Sequence, residues 1–193
     1  SERAEGLLIA AGLFIGDGDF SVAASQSLLP LIEVGDRWNG DVKVLRWLEW
    51  AGGIGHVRVS GKAVKGSVLR NVARMPDLTA IAIVNSDAAV EDEVFSSLSV
   101  MERIESLDIR YVKLTEQQGE IISRLPLRTS LTLMGTSITS AAVEKIRSRL
   151  SGLEIQFRQG GFLGVSCYPE EQVCLVSKVY PNTAASDAGL MFR

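Results

Sequence analysis

Five apolar doublets recur along this chain at nearly constant spacing. Val57 and Val59 form the first, Ile81 and Ile83 the second, Leu107 and Ile109 the third, Leu131 and Leu133 the fourth, and Ile155 and Phe157 the fifth. The steps between them are 24, 26, 24 and 24 residues. One residue separates the members of each doublet, which is the alternation of a half-buried strand. A polar turn follows each doublet, then a stretch with helical spacing: Val68, Leu69, Val72 and Met75; Val94, Phe95 and Leu98; Ile121, Ile122 and Leu125; Val143, Ile146 and Leu150. One strand and one helix cannot hide their apolar faces alone, whereas stacked copies can. The spacing therefore predicts an α/β array with one parallel strand and one helix per unit, and the five doublets side by side in one sheet.

The unit from Ile104 to Thr115 reads Ile-Glu-Ser-Leu-Asp-Ile-Arg-Tyr-Val-Lys-Leu-Thr. It resembles the leucine-rich-repeat template L-x-x-L-x-L-x-x-N-x-L, with Val112 where Asn is usual. The stretch Gly135-Thr136-Ser137-Ile138-Thr139 resembles bacterial repeats of 24-residue type. There, the resemblance implies, Thr136 replaces the turn-capping Asn and Thr139 caps the next helix. The Val57 and Ile81 units are degenerate, with Lys62 and with Ser86-Asp87 at their turns. Upstream, Val42, Val44, Leu45, Trp47, Leu48 and Trp50 predict a helix that begins at Asn39 or Asp41 and ends at Gly52-Gly53. Residues 1–35 are expected to cap the array: a helix from Glu2 to Ala11 closed by Gly12, a strand over Leu13 to Ile15, and a turn over Gly16 to Asp19. The array itself is expected over 36–159.

Gly160-Gly161 breaks the pattern. Gly161-Phe162-Leu163-Gly164-Val165, and then Val173 through Leu190 with Val179-Tyr180-Pro181-Asn182-Thr183-Ala184-Ala185 and Ala188-Gly189-Leu190, resemble the opening of bacterial PDZ domains. The resemblance covers roughly 30 residues, and it implies a loop at Leu163, Gly164 and Val165 whose N–H groups receive a peptide carboxylate. Only Met191, Phe192 and Arg193 follow, without the second strand pair and groove helix of that family, so 160–193 is expected to be a truncated PDZ-like segment. The order of the two parts resembles multidomain proteins of environmental bacteria, notably planctomycetes.

Composition narrows the chemistry. The net charge of −3 and the absence of a basic run argue against nucleic acid as a partner. Leu7 to Ile15 is too short an apolar stretch for a bilayer span, which needs ~20 residues. The chain has one His and two Cys, too few at too wide a spacing for a zinc site. Neither G-x-S-x-G nor G-x-x-x-x-G-K-[ST] is present, so no nucleophile elbow or nucleotide loop is expected. His56 reads as structural or solvated, and Asp17-Gly18-Asp19 as a polar turn rather than a cation loop. Cys167 and Cys174 would face each other across a tight hairpin turned at Glu170-Glu171. A strained disulfide is then conceivable, but two small apolar residues on a sheet is the favoured reading. Trp47 is expected in the core, while Trp38 is left open.

The residues between and beside the strand apolars should share the second face of the sheet: Arg58, Ala82, Asp108, Arg110, Tyr111, Thr132, Met134, Gln156 and Arg158. As the concave face of a solenoid they would form a mixed polar surface for a protein or peptide, anchored by Tyr111. The plainer reading is a solvated face whose charges pair with one another, Arg58 or Arg110 with Asp108. The expected function is a non-enzymatic protein-interaction scaffold without cofactor or metal. The alternative is a regulatory or targeting part of a larger PDZ-containing serine protease.

Overall fold

Seven strands follow one another in chain order across a single sheet, β1-β2-β3-β4-β5-β6-β7. The structure, a computed structural model, describes residues 2–19, 28–84, 90–159, 163–170, 173–179 and 184–191. Its helices and strands in the first unit are α1 (Glu2–Ala10), β1 (Phe14–Asp19), β2 (Leu28–Val34), a 3-10 helix over Val42–Trp50, β3 (His56–Ser60), a 3-10 turn over Gly61–Ala63, α2 (Gly66–Val72), β4 (Ala80–Val84), α3 (Asp92–Ser96), β5 (Ser106–Arg110), α4 (Glu116–Ile122), β6 (Ser130–Met134), α5 (Ser140–Arg149) and β7 (Glu154–Arg158). The chain divides at Gln159, with a second unit over Gly160–Arg193.

The doublets lie where their spacing put them. Val57, Ile81, Leu107, Leu131 and Ile155 are direct neighbours in parallel strands, as are Val59, Ile83, Ile109, Leu133 and Phe157. Both rows join one core with Val68, Leu69, Val72, Val94, Phe95, Leu98, Ile122, Leu125, Val143 and Ile146 from the helices. Strand alternation turns the residues between the doublets to the opposite face. The principal contacts run between sequence neighbours: the Val42–Trp50 helix with α2, α2 with α3, α3 with α4, α4 with α5. The register also extends ahead of the strands. The N–H groups of Thr79 and Ala80 donate to Gly55, those of Glu105 and Ser106 to Thr79, those of Thr129 and Ser130 to Glu105, and that of Glu154 to Thr129.

Helix starts follow side-chain chemistry. Thr115 caps α4 through a capping box with Gln118, and the Thr139 hydroxyl accepts from the Ala142 N–H at the start of α5. Asp41 caps the Val42–Trp50 segment. That segment is 3-10 rather than α because its buried residues Leu45, Leu48 and Ala51 recur every third position, which a three-residue turn places on one line. Trp38 is in the core, and its Nε1 finds no acceptor among the described residues. Trp47 packs against the core beneath the Arg46 guanidinium, 5.1 Å from the ring centroid, whereas Trp50 is 57% exposed.

Four sequence expectations are corrected. Gly16 to Asp19 is not a turn but the body of β1, held antiparallel to β2 with Gly16 opposite Leu31. Within residues 1–35 the sequence also missed β2, which lies parallel to β3 with Ile32 beside Val57 and Val34 beside Val59. Thr136 is buried, but its hydroxyl makes no hydrogen bond to the described residues, so it does not cap its turn. The equivalent Val112 is buried as an apolar plug in the core. In the second unit, β8 (Val165–Glu170) pairs antiparallel with β9 (Val173–Val179), and an irregularity between Ser166 and Cys167 shifts the register. Cys167 consequently faces Val176 and Cys174 faces Pro169, so the cysteines are not cross-strand partners, and Cys167 is exposed rather than packed. The Ser86-Asp87 turn, Gly160 to Phe162, Glu171 and Tyr180 to Thr183 lie outside the described residues.

Candidate functional site

Three rows cross the face of the sheet that points away from the main core. The central row runs Glu33, Arg58, Ala82, Asp108, Thr132, Gln156. On one side lie Leu31, His56, Ala80, Ser106, Ser130 and Glu154. On the other lie Ser60, Val84, Arg110, Met134 and Arg158. The nine residues selected from the sequence thus share one face or its rim. They do not share one exposure: Asp108 and Thr132 are each only 3% exposed, while Arg58, Arg110, Tyr111, Met134 and Gln156 are half-buried and Arg158 is exposed. Asp108 and Thr132 form a floor rather than a contact surface.

The floor is explained by small neighbours. Leu31, Ala80 and Ala82 form a second apolar cluster with Val84 against it, and the Ser130 hydroxyl donates to Ser106 at 3.0 Å. Sequence reasoning passed over Glu33, Ser106 and Ser130. Ser106 and Ser130 lie two residues before Asp108 and Thr132 at a 24-residue step, and Glu33 lies 25 residues before Arg58, which carries the signal.

Asp108 carries the electrostatics. Arg110 Nε lies 2.9 Å from both of its carboxylate oxygens and Nη2 lies 2.8 Å from Oδ2, a fork-shaped clamp on the same strand. Arg58 adds a favourable field from two strands away and lies 3.8 Å from Glu33. Burial still dominates and holds the Asp108 carboxyl above its ordinary value, with Arg110 and then Arg58 opposing it. A carboxyl whose pKa is raised on folding contributes stability that is complete below the ordinary value near 3.8 and is lost as pH rises through the raised one. Asp108→Asn should therefore be at least as stable as wild type at pH 7, with a flatter stability profile between pH 4 and pH 7. Urea unfolding of both proteins across that range checks this. A variant about 1 kcal/mol or more less stable at pH 7 would show that the Arg110 clamp outweighs burial.

Tyr111 has a backbone that the sequence did not announce. Its φ is +56°, in the left-handed region, at the turn where Gly61 (φ +54°) follows β3 and Gly135 (φ +60°) follows β6. The turn is fixed by the main chain: Tyr111 N–H donates to Met134 at 2.9 Å and Gly135 N–H to Arg158 at 3.0 Å. The Tyr111 hydroxyl lies 3.5 Å from Met134 Sδ.

His56 opens β3 with Leu31 and Ala80 beside it in the sheet, so no carboxylate or nucleophile adjoins it in its row. Burial pushes its imidazole below the ordinary value, against a hydrogen bond to the Pro30 main chain. On the helical side, α4 and α5 leave a groove of about 270 Å³ lined by Glu116, Glu120, Ser123, Thr139, Lys145 and Ile146. Arg149 and Arg124 both engage Glu120 there and hold its carboxyl below the ordinary value. In the second unit, Gly164 is buried at φ +83°, and the exposed Leu163 gives its carbonyl to the N–H of Ala185 in α6 (Ala184–Asp187) at 2.8 Å. Val165 opens β8. Among the described residues no group of His, Cys, Asp and Glu has the geometry to hold a metal, and no helix is long and apolar enough to cross a membrane. Comparison with protein-family models, with curated proteins and with solved structures returns no match to this chain.

Proposed function

We propose that residues 36–159 form a leucine-rich-repeat solenoid whose open sheet face is a protein-interaction surface with Tyr111 as its anchor. The observation that carries this reading is the Tyr111 backbone. A left-handed conformation costs a residue with a Cβ about 1–2 kcal/mol, which Gly61 and Gly135 avoid at the same turn. Stability alone favours Gly at 111. The aromatic ring placed there instead stands beside Met134, next to the Arg110 guanidinium in sequence, and strain of this kind concentrates where a side chain has a task. Arg58, Arg110, Met134, Gln156 and Arg158 supply the surrounding contacts, and Tyr and Arg are the residue types that carry binding energy at interfaces. The chain acts in this reading as a non-enzymatic scaffold for a protein or peptide partner. The second unit is its PDZ-like companion, with Leu163, Gly164 and Val165 as a carboxylate loop that the left-handed Gly164 permits.

Capture with the full chain as bait tests it. Arg110→Glu and Tyr111→Gly should each reduce recovery of whatever wild type retains by about tenfold or more. Lys145→Glu, exposed on the helical side, should leave recovery unchanged. Tyr111→Gly should meanwhile be as stable as wild type or up to ~1 kcal/mol more stable. Recovery that survives both face variants would leave the solvated-face reading in possession of these residues.

A further inference from the structure

We propose that β7 is a self-association edge, pairing antiparallel with β7 of a second copy of this chain. β7 closes the strand order, with β6 as its hydrogen-bonded neighbour. The Glu154 N–H donates to Thr129 and the Arg158 carbonyl accepts from Gly135, at 3.2 and 3.0 Å, both on the β6 side. Alternation therefore turns the main-chain groups of Ile155 and Phe157 to the side away from β6, where no described strand of the first unit pairs with them and both residues are half-buried. An edge of this kind is a template for another strand.

The sequence of β7, Glu-Ile-Gln-Phe-Arg, says which strand fits. Antiparallel pairing centred on Gln156 sets Glu154 against Arg158 of the second copy, twice by symmetry. It sets Ile155 against Phe157, also twice, an aromatic with a β-branched partner. The outward main-chain groups of Ile155 and Phe157 then exchange hydrogen bonds, and Gln156 meets its own copy in a close, non-hydrogen-bonded pair. A slip of two residues either way pairs Gln156 with a charged residue and loses both ion pairs. In-register parallel addition would stack Glu154 on Glu154 and Arg158 on Arg158. Charge therefore selects a closed two-fold pair over an open chain of copies. The half-exposed core residues Ile155 and Phe157 gain cover in the same step. The inference needs only the parallel sheet, not the binding reading given above.

Sedimentation equilibrium of the full chain at low salt tests it. A strand pair is small beside a standard interface, so wild type should dimerise at tens of micromolar, a figure on the order of 10 µM or weaker. Glu154→Arg and Arg158→Glu should each weaken dimerisation by about tenfold or more, since each reversal converts two attractive pairs into two repulsive ones. The double variant carrying both should return to near wild-type association. Gln156→Cys, in a Cys167→Ser, Cys174→Ser background, should form a covalent dimer on mild oxidation far faster than Lys145→Cys. A wild-type monomer through this range, or single reversals that dimerise like wild type, or a double variant that does not recover, overturns the proposal.

Discussion

Phe95→Ala should lower the unfolding free energy by about 3–5 kcal/mol and the melting temperature by roughly 10 °C. Phe95 is 0% exposed in α3, a helix of five residues, and sits in the continuous core with Val94 and Leu98. A helix that short has little stability of its own, so its place depends on what it buries. Its main helical neighbours are α2 and α4, the preceding and following units. Removing the ring leaves a cavity that those neighbours cannot fill without leaving the strands they cover. In a stack held by nearest-neighbour contacts, that loss is felt on both sides. The expected signature is a lower urea midpoint with an unchanged slope. Val100→Ala, at a residue 74% exposed just past the same helix, should change stability by less than about 0.5 kcal/mol. A Phe95→Ala loss no larger than that of Val100→Ala would mean that α3 does not dock where it is placed.

Gly12→Ala has the second-largest expected effect, about 2–5 kcal/mol, and a different cause. Gly12 ends α1 at φ +90°, and a Cβ there would stand 2.1 Å from the Arg37 carbonyl oxygen and 2.7 Å from its carbon. These are backbone atoms, and they cannot swing aside as a side-chain tip can. The Asn39 N–H also donates to the Ala11 carbonyl at 3.0 Å, which pins the two chain segments together. Gly53→Ala is the control: its φ is +80° with nothing within 4 Å of the added Cβ, so only backbone strain of ~1 kcal/mol is expected. Equal losses for the two variants would mean that the close approach at Arg37 does not exist. Limited proteolysis should find the Gly12→Ala protein opened first at α1.

What the sequence disclosed was whatever repeated. The doublets from Val57 to Phe157 announced the parallel strands because alternation and a 24-residue step are both written in single residues. Thr139 announced its helix for a similarly local reason. The Ile32–Val34 strand escaped because Leu28-Leu29-Pro30-Leu31-Ile32 is a continuous apolar run that masks alternation. Gly16 to Asp19 has turn composition, yet pairing with β2 overrides it. The site was only half legible. Which residues share the second face follows from strand parity. How deeply Asp108 and Thr132 sink depends on Ala82 and Gln156 in other units, and on Arg110 folding back over the carboxylate. The left-handed turn at Tyr111 was hidden because the units of β3 and β6 show Gly there and this one does not.

Main-chain nuclear Overhauser contacts between adjacent strands read the register most directly. The predicted result is a parallel pattern joining Ile81 to Leu107 and Leu107 to Leu131, with close Hα–Hα contacts in the first unit confined to β1 and β2. Antiparallel contacts among β3 to β7, or an offset of one residue, would contradict it, because a single-residue slip turns the whole apolar row out of the core and brings Arg58, Asp108 and Gln156 in.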